Sequence, residues 1–269
     1  MKRIDVIISI GAIAITLAII VPGIYRAREN ARTLQCMNCM KNLSFSLVNY
    51  HYEYSSTFPT GTVGSSKRTP EHRWSYYPQL IPQFLPCTPP PIDYETDSRD
   101  SRNWPLEYEI WYDPADKITI PLRAPEVIIC PNATPLEGEH NQAFASYVGI
   151  TGVGEQSPLV DGDDESAGVF GYDRCTSLAD IKSKQDNTIL AIETTVDRDV
   201  WLFGGRPTLR WVTEGENQLG EGKPFGGLHS GVTVVGMVDG TVTRLSNTID
   251  PRIFVDMARI NRDVPDDLE

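Results

Sequence analysis

From Ile4 to Gly23 the chain reads IDVIISIGAIAITLAIIVPG, about twenty nearly unbroken apolar positions interrupted by one acid, Asp5. A helix of that length spans about 30 Å, the hydrocarbon thickness of a bilayer. The pattern then changes from continuous to periodic. Leu34, Met37, Met40, Leu43, Leu47, Tyr50 and Tyr54 recur every three or four residues, one apolar stripe of an amphipathic helix. The two patterns join without a break, which predicts one helix from near Ile4 to near Tyr54. Pro22 is expected to kink it, because it removes a backbone donor in the interior. No small-residue cleavage site follows the apolar run, so it reads as an anchor that stays on the protein. The segment SSTFPTGTVGSS ends the helix. The chain divides into an anchor (1–24), an amphipathic half of the same helix (25–56) and a β-rich domain (57–269).

Beyond the helix the pattern shortens. Tyr77–Phe84 predicts a short helix or turn, VIIC (127–130) a short buried strand, and ASYVGITGVG a strand running into a glycine-rich turn. NTILAIETT (187–195) has the apolar centre and polar flanks of a central strand, and Trp201 to Trp211 suggests a strand pair. Near the C-terminus VTVVGM and TVTRL flank Asp239-Gly240, a two-residue hairpin signal that suits a type I′ turn. Residues 249–262 predict a short helix with Asp250 as N-cap and Pro251 in its first turn. The predicted fold class is α+β: a long N-terminal transmembrane and amphipathic helix packed on an antiparallel β-sheet domain.

Composition narrows the function. The 269 residues carry a net charge of −12, and the basic residues form no stripe. That argues against nucleic acid as a partner, since phosphate neutralisation needs clustered Lys and Arg. Lys2 and Arg3 precede the span while Arg26, Arg28 and Arg32 follow it, so flanking charge does not orient the anchor. Five cysteines (Cys36, Cys39, Cys87, Cys130, Cys175) leave at least one thiol unpaired. Cys36-x-x-Cys39 falls within the helix and has no second pair at zinc spacing, so it reads as helix-face residues with room for one structural disulfide, its pairing open.

Three further patterns invite chemistry. His229 and Asp239 could form part of a dyad, but no nucleophile elbow lies near them. A structural role is expected instead, with Asp239 and Gly240 making the turn and His229 bonding backbone where the chain approaches the hairpin. Asp161, Asp163, Asp164 and Glu165 offer several oxygens for calcium without the full EF-hand spacing, so a solvated acidic turn is expected and no cofactor is implied. Glu193 and Glu214 could be paired glycosidase carboxylates only if the fold set their separation. Trp74, Trp104, Trp111, Trp201 and Trp211 could line a glycan-binding face, with core packing as the default. No enzyme activity is expected.

The N-terminal acid, the proline seventeen residues after it and the uninterrupted amphipathic extension resemble a type IV pilin or type II secretion pseudopilin. RARENARTLQCMNCMKNLSFSLVNYHYEYSSTFPTG, HRWSYYPQLIPQFL, VIICPNA, SYVGITGVG, GVFGYDRCTSLADI and NTILAIET resemble, in the same order, blocks of the planctomycete pilin-like family that carries the domain of unknown function 1559. His229 followed ten residues later by Asp239-Gly240 resembles its C-terminal H-x9-DG signature. Family prepilins start with a basic leader ending in Gly, then a Phe-Thr-Leu-like stretch and Glu. Here the acid is Asp, and Met1 stands where a processed pilin begins, so leader cleavage is not asserted. The resemblance implies a non-enzymatic membrane-anchored subunit of a surface or secretion-associated assembly, with its N-terminus inside and its domain outside the cytoplasmic membrane. Its partners would be the membrane and other pilin-like subunits or copies of itself. The same resemblance implies that Asp5 meets the N-terminal amine of a neighbouring subunit; a residue this close to the interface can also snorkel without a partner. The alternative is a membrane-tethered extracytoplasmic glycan- or solute-binding module.

Overall fold

A computed structural model describes residues 3–64, 67–80, 83, 110–113, 118–121, 124–134 and 144–262. The helix α1 runs Arg3–Tyr50 with Pro22 inside it, and a π-helical turn, His51–Ser55, carries it to a left-handed Ser56 at φ 55°. Helix continues on both sides of Pro22. The span agrees with the apolar pattern; the buried face is turned slightly from the expected one. Thr33, Cys36, Met40, Leu43, Leu47 and His51 are buried, whereas Leu34 and Tyr54 are exposed. The upper end of the stripe is set by polar and sulfur contacts, which hydrophobicity does not register.

The domain is organised by a five-stranded sheet in the order β7-β5-β6-β8-β9. Its strands are β5 (Tyr147–Val153), β6 (Ile189–Glu193), β7 (Leu209–Val212), β8 (Val232–Met237) and β9 (Val242–Ser246). Two antiparallel pairs stand apart from it: β1 (Thr62–Val63) with β2 (Trp74–Ser75), and β3 (Ile110–Asp113) with β4 (Ile118–Pro121). The α+β class holds, but the sheet is mixed. The β5–β6, β6–β8 and β8–β9 pairings are antiparallel while β5 and β7 run parallel.

Period-two alternation assigns the two faces. Tyr147, Ala191 and Val234 join Cys36, Met40, Leu43 and Leu47 in one core, under α1. Their neighbours Val148, Ile192 and Val235 point the other way, into a second core with Phe254, Val255 and Met257. Those last three lie on α2 (Pro251–Met257), whose N-cap Asp250 accepts the Arg252 amide, as its sequence indicated. Gly236 on β8 lies beneath α1: a Cβ there would run into Ser44 Oγ and come within 3.1 Å of Met40 Sδ. The missing side chain lets helix and sheet approach closely.

Three local expectations give way. Residues 127–130 form no strand; a 3-10 turn, Glu126–Ile128, lies there, set by prolines on either side at Pro125 and Pro131. Trp201 to Trp211 yields one strand, β7, with Trp201 buried in a turn. The β8–β9 loop is not type I′. Asp239 has no positive φ; Gly240 alone does (+80°), its N–H donating to Met237 O (2.9 Å) while Met237 N–H donates to Thr241 O (2.8 Å). This is a three-residue loop, Val238–Gly240, closed by a glycine bulge. The Asp239 carboxylate accepts the Thr241 amide and hydroxyl at 2.8 and 2.7 Å, which fixes the turn from inside.

Candidate functional site

The side chains that gather chemistry lie where α1 meets the sheet. Cys36 on α1 is bridged to Cys130, just past the 3-10 turn, with Cα atoms 5.0 Å apart and 94 residues between them in sequence. One turn up the helix, Thr33 and Glu29 flank the ring of His229, which leads into β8 and whose side chain is wholly buried.

The two nitrogens of His229 face different groups. Its Nδ1 is 3.1 Å from Glu29 Oε1 and 3.1 Å from Thr33 Oγ1. Thr33 Oγ1 donates to the Glu29 carbonyl (2.9 Å), and Asn132 Nδ2 donates to the Leu228 carbonyl (3.0 Å). Glu29 Oε1 accepts, so the contact with it places a proton on Nδ1. Nε2 faces Cys130 Sγ at 3.6 Å and Glu193 Oε2 at 3.8 Å.

Glu193 ends β6. Two positions on from Ala191, it shares the face turned to α1. It is fully buried, and neither carboxyl oxygen has a partner in good hydrogen-bond geometry, although the Val234 amide approaches it. The 3.8 Å gap to His229 is too long for one. Burial, the largest cause, is opposed by the Val234 amide and reinforced by the Glu29 charge, and together they push its pKa up to about 8. At neutral pH Glu193 is therefore mostly a neutral acid. Tyr147 closes the cluster from below, its hydroxyl donating to the Cys36 carbonyl (3.2 Å) while its own carbonyl accepts Tyr77 OH (2.6 Å).

Both ends of the H-x9-DG segment touch α1. His229 reaches Glu29 and Thr33, and Lys41 Nζ donates to Gly240 O at 2.6 Å. The ring of His229 thus meets side chains of a distant helix rather than the nearby backbone expected from sequence. Asp239 points into its own turn and not toward His229. Together the motif holds β8 along the helix from two points eight residues apart on α1.

The remaining candidates scatter. Asp161, Asp163, Asp164 and Glu165 are exposed. The carbonyls of Gly162 and Asp164 accept from Asn261, and Arg174 donates to the carbonyls of Gly168 and Phe170. Ser166 holds the Asp164 carboxyl below its usual range by two hydrogen bonds. Glu214 is exposed and pairs with Arg259, so it shares no site with Glu193. Trp201 is buried; Trp74 and Trp211 are half-buried, with Arg206 over the Trp211 ring. Trp104 and the side chain of Trp111 lie outside the described residues. Asp5 and Pro22 sit in the upper part of α1, Pro22 exposed.

Sequence reading missed Glu29, Thr33, Asn132 and the pairing of Cys36 with Cys130. Glu29, Thr33 and Cys36 share one helix face at spacings of four and three, a legible signal once a partner is known. Among the described residues, Cys36, Cys130 and His229 are the group whose ligand atoms lie within 4.8 Å of one another. The sulfur beside the imidazole, Cys130 Sγ, is held in the disulfide.

Fold and site together define an α+β protein with one exposed apolar N-terminal helix, cross-linked by a disulfide and clasped by a hairpin. The sequence matches the family described as "Protein of unknown function (DUF1559)" over residues 25–208, about two thirds of the chain, and the chain belongs to that family. No curated protein and no solved structure matches it.

Proposed function

We propose that this protein is a non-enzymatic, pilin-like, membrane-anchored subunit of a surface or secretion-associated assembly. One observation carries this: α1 is a single helix that is apolar and exposed from Ile10 to Ile24 and built into the domain core below. Ile10, Ile13, Ile15, Leu17 and Ile19 are each more than half exposed, and an 18-residue window of the helix has a mean hydropathy of 1.8 with none of it buried. A surface this apolar needs lipid or another helix to cover it. The lower half cannot swing free, because the disulfide and the His229 and Lys41 contacts fix it to the domain. A side-by-side contact between anchors would therefore set the spacing of the domains.

An extracytoplasmic position for the domain is supported by the Cys36–Cys130 bridge, since disulfides persist in oxidising compartments. Cys175 is free and exposed, which provides a direct test. In intact cells it is expected to react with a membrane-impermeant maleimide; protection until lysis would place the domain inside. Assembly is tested by crosslinking in native membranes, which is expected to trap the chain with copies of itself or with related subunits. Recovery of monomer alone would refute it. Replacing residues 1–24 with an unrelated anchor is expected to abolish those crosslinks, whereas a module that merely uses the helix as a tether would keep its activity.

A further inference from the structure

We propose that the Cys36–Cys130 bridge, once reduced, becomes half of a zinc site completed by His229 Nε2 and the Glu193 carboxylate. The inference rests on the juxtaposition of these four side chains and is independent of the assembly reading.

Three observations converge. Cys36 Sγ, Cys130 Sγ and a nitrogen of His229 lie within 4.8 Å of one another, contributed by α1, the segment after the 3-10 turn and the segment before β8. Glu193, from the end of β6, is fully buried, has no well-formed hydrogen bond on either oxygen beyond the approach of the Val234 amide, and lies 3.8 Å from Nε2. A buried carboxyl this poorly partnered is costly unless something compensates it, and a cation does so directly. Third, Glu29 accepts from His229 Nδ1 and leaves Nε2 as the ligand atom. This carboxylate–histidine pairing orients imidazoles and raises their basicity in zinc sites.

The spacing fits. Zinc binds thiolate sulfur near 2.3 Å and imidazole nitrogen near 2.0–2.1 Å, so neighbouring ligand atoms in a tetrahedron lie about 3.4–3.8 Å apart. Nε2 already stands 3.6 Å from Cys130 Sγ and 3.8 Å from Glu193 Oε2. Rotation of the two cysteine side chains opens the sulfurs to the same separation. Two thiolates, one imidazole and one carboxylate in a dry pocket form a zinc-type set rather than a calcium or magnesium one.

The chemistry balances with a dithiol as reductant. It delivers two electrons and two protons to the Cys36–Cys130 bond and closes to its own disulfide. A divalent cation then displaces both thiol protons and any proton held by Glu193, while His229 contributes its lone pair. Disulfide and metal are thus alternative cross-links between α1 and the domain.

The test uses the full-length protein in detergent micelles. It is reduced with a phosphine, desalted without oxygen and mixed with equimolar Co(II). The expected result is the visible absorption of tetrahedral cobalt together with thiolate-to-cobalt charge transfer, both erased by added Zn(II) and absent in the oxidised protein. Glu193→Gln and Glu29→Gln should each weaken cobalt binding by at least about tenfold, the scale seen for lost partners of metal ligands. Joint substitution of Cys39→Ser and Cys175→Ser should leave the spectrum unchanged. Reduced protein that keeps its circular dichroism yet shows only octahedral cobalt overturns the proposal. So does unfolding on reduction that cobalt does not reverse, a spectrum that survives Cys130→Ser, or an affinity that Glu193→Gln leaves untouched.

Discussion

At Glu193 the fold encloses an acid that gains nothing from being charged. Its carboxyl titrates near 4.5 when solvated and at about 8 in the folded chain, because burial penalises the anion. Between those values the folded state holds a proton that the unfolded state has released. The associated stability is complete below about pH 4.5 and is lost as pH rises toward 8, on the order of 1 kcal/mol for each pH unit. Chemical denaturation of the disulfide-bonded protein across that window is expected to show this slope. Glu193→Gln, which cannot ionise, is expected to flatten it; an unchanged slope would assign the dependence to another group. Little of this was visible beforehand. The pattern around Ile189–Glu193 marks a central strand, but the group facing Glu193 lies 36 positions away at His229, and no local spacing links them. His229 was picked out by its motif, yet its partners are on a helix some two hundred residues earlier.

The coupling between α1 and the hairpin is an element-scale property with two separable parts. The covalent part closes a loop of 94 residues, so Cys130→Ala is expected to lower unfolding stability by about 2–5 kcal/mol, read as a shift of the denaturation midpoint. A variant as stable as the parent would mean that reduced and bridged unfolded chains are equally constrained. The steric part is Gly236. Gly236→Ala pushes a methyl group into Ser44 and Met40, and is expected to cost about 1–3 kcal/mol by lifting the helix from β8. The helix itself was legible nearly to the residue, and β5, β6, β8 and β9 within a few, because each has a strong apolar pattern; the cap located the start of α2, which ends at Met257 rather than near residue 262. The apolar run at 127–130 was not, since four residues between prolines look alike as strand or tight turn. The parallel β7 was also hidden: one register of LRWV can pair in either direction, and only the chain path through residues 154–208 decides it.

For the whole molecule, the sheet lies between two cores, and α1 supplies one wall of the larger. Cutting the chain after the anchor, at residue 24, is expected to leave a soluble folded domain, because the buried stripe begins at Thr33. Its far-ultraviolet circular dichroism and two-state unfolding would check this, and aggregation in place of a cooperative transition would show that the anchor supports the fold. That same wall is made before the strands it lands on. Its landing strands β6 and β8 follow about 150 to 200 positions later. At bacterial or eukaryotic synthesis speeds of 5–20 residues per second, Met40 waits roughly 10–40 s for Gly236 to exist. Cys130 arrives 94 positions after Cys36, about halfway through that interval, so the bridge can form before the inner stripe meets β8. The buried stripe is therefore expected to settle late, only once β8 has been made to receive it.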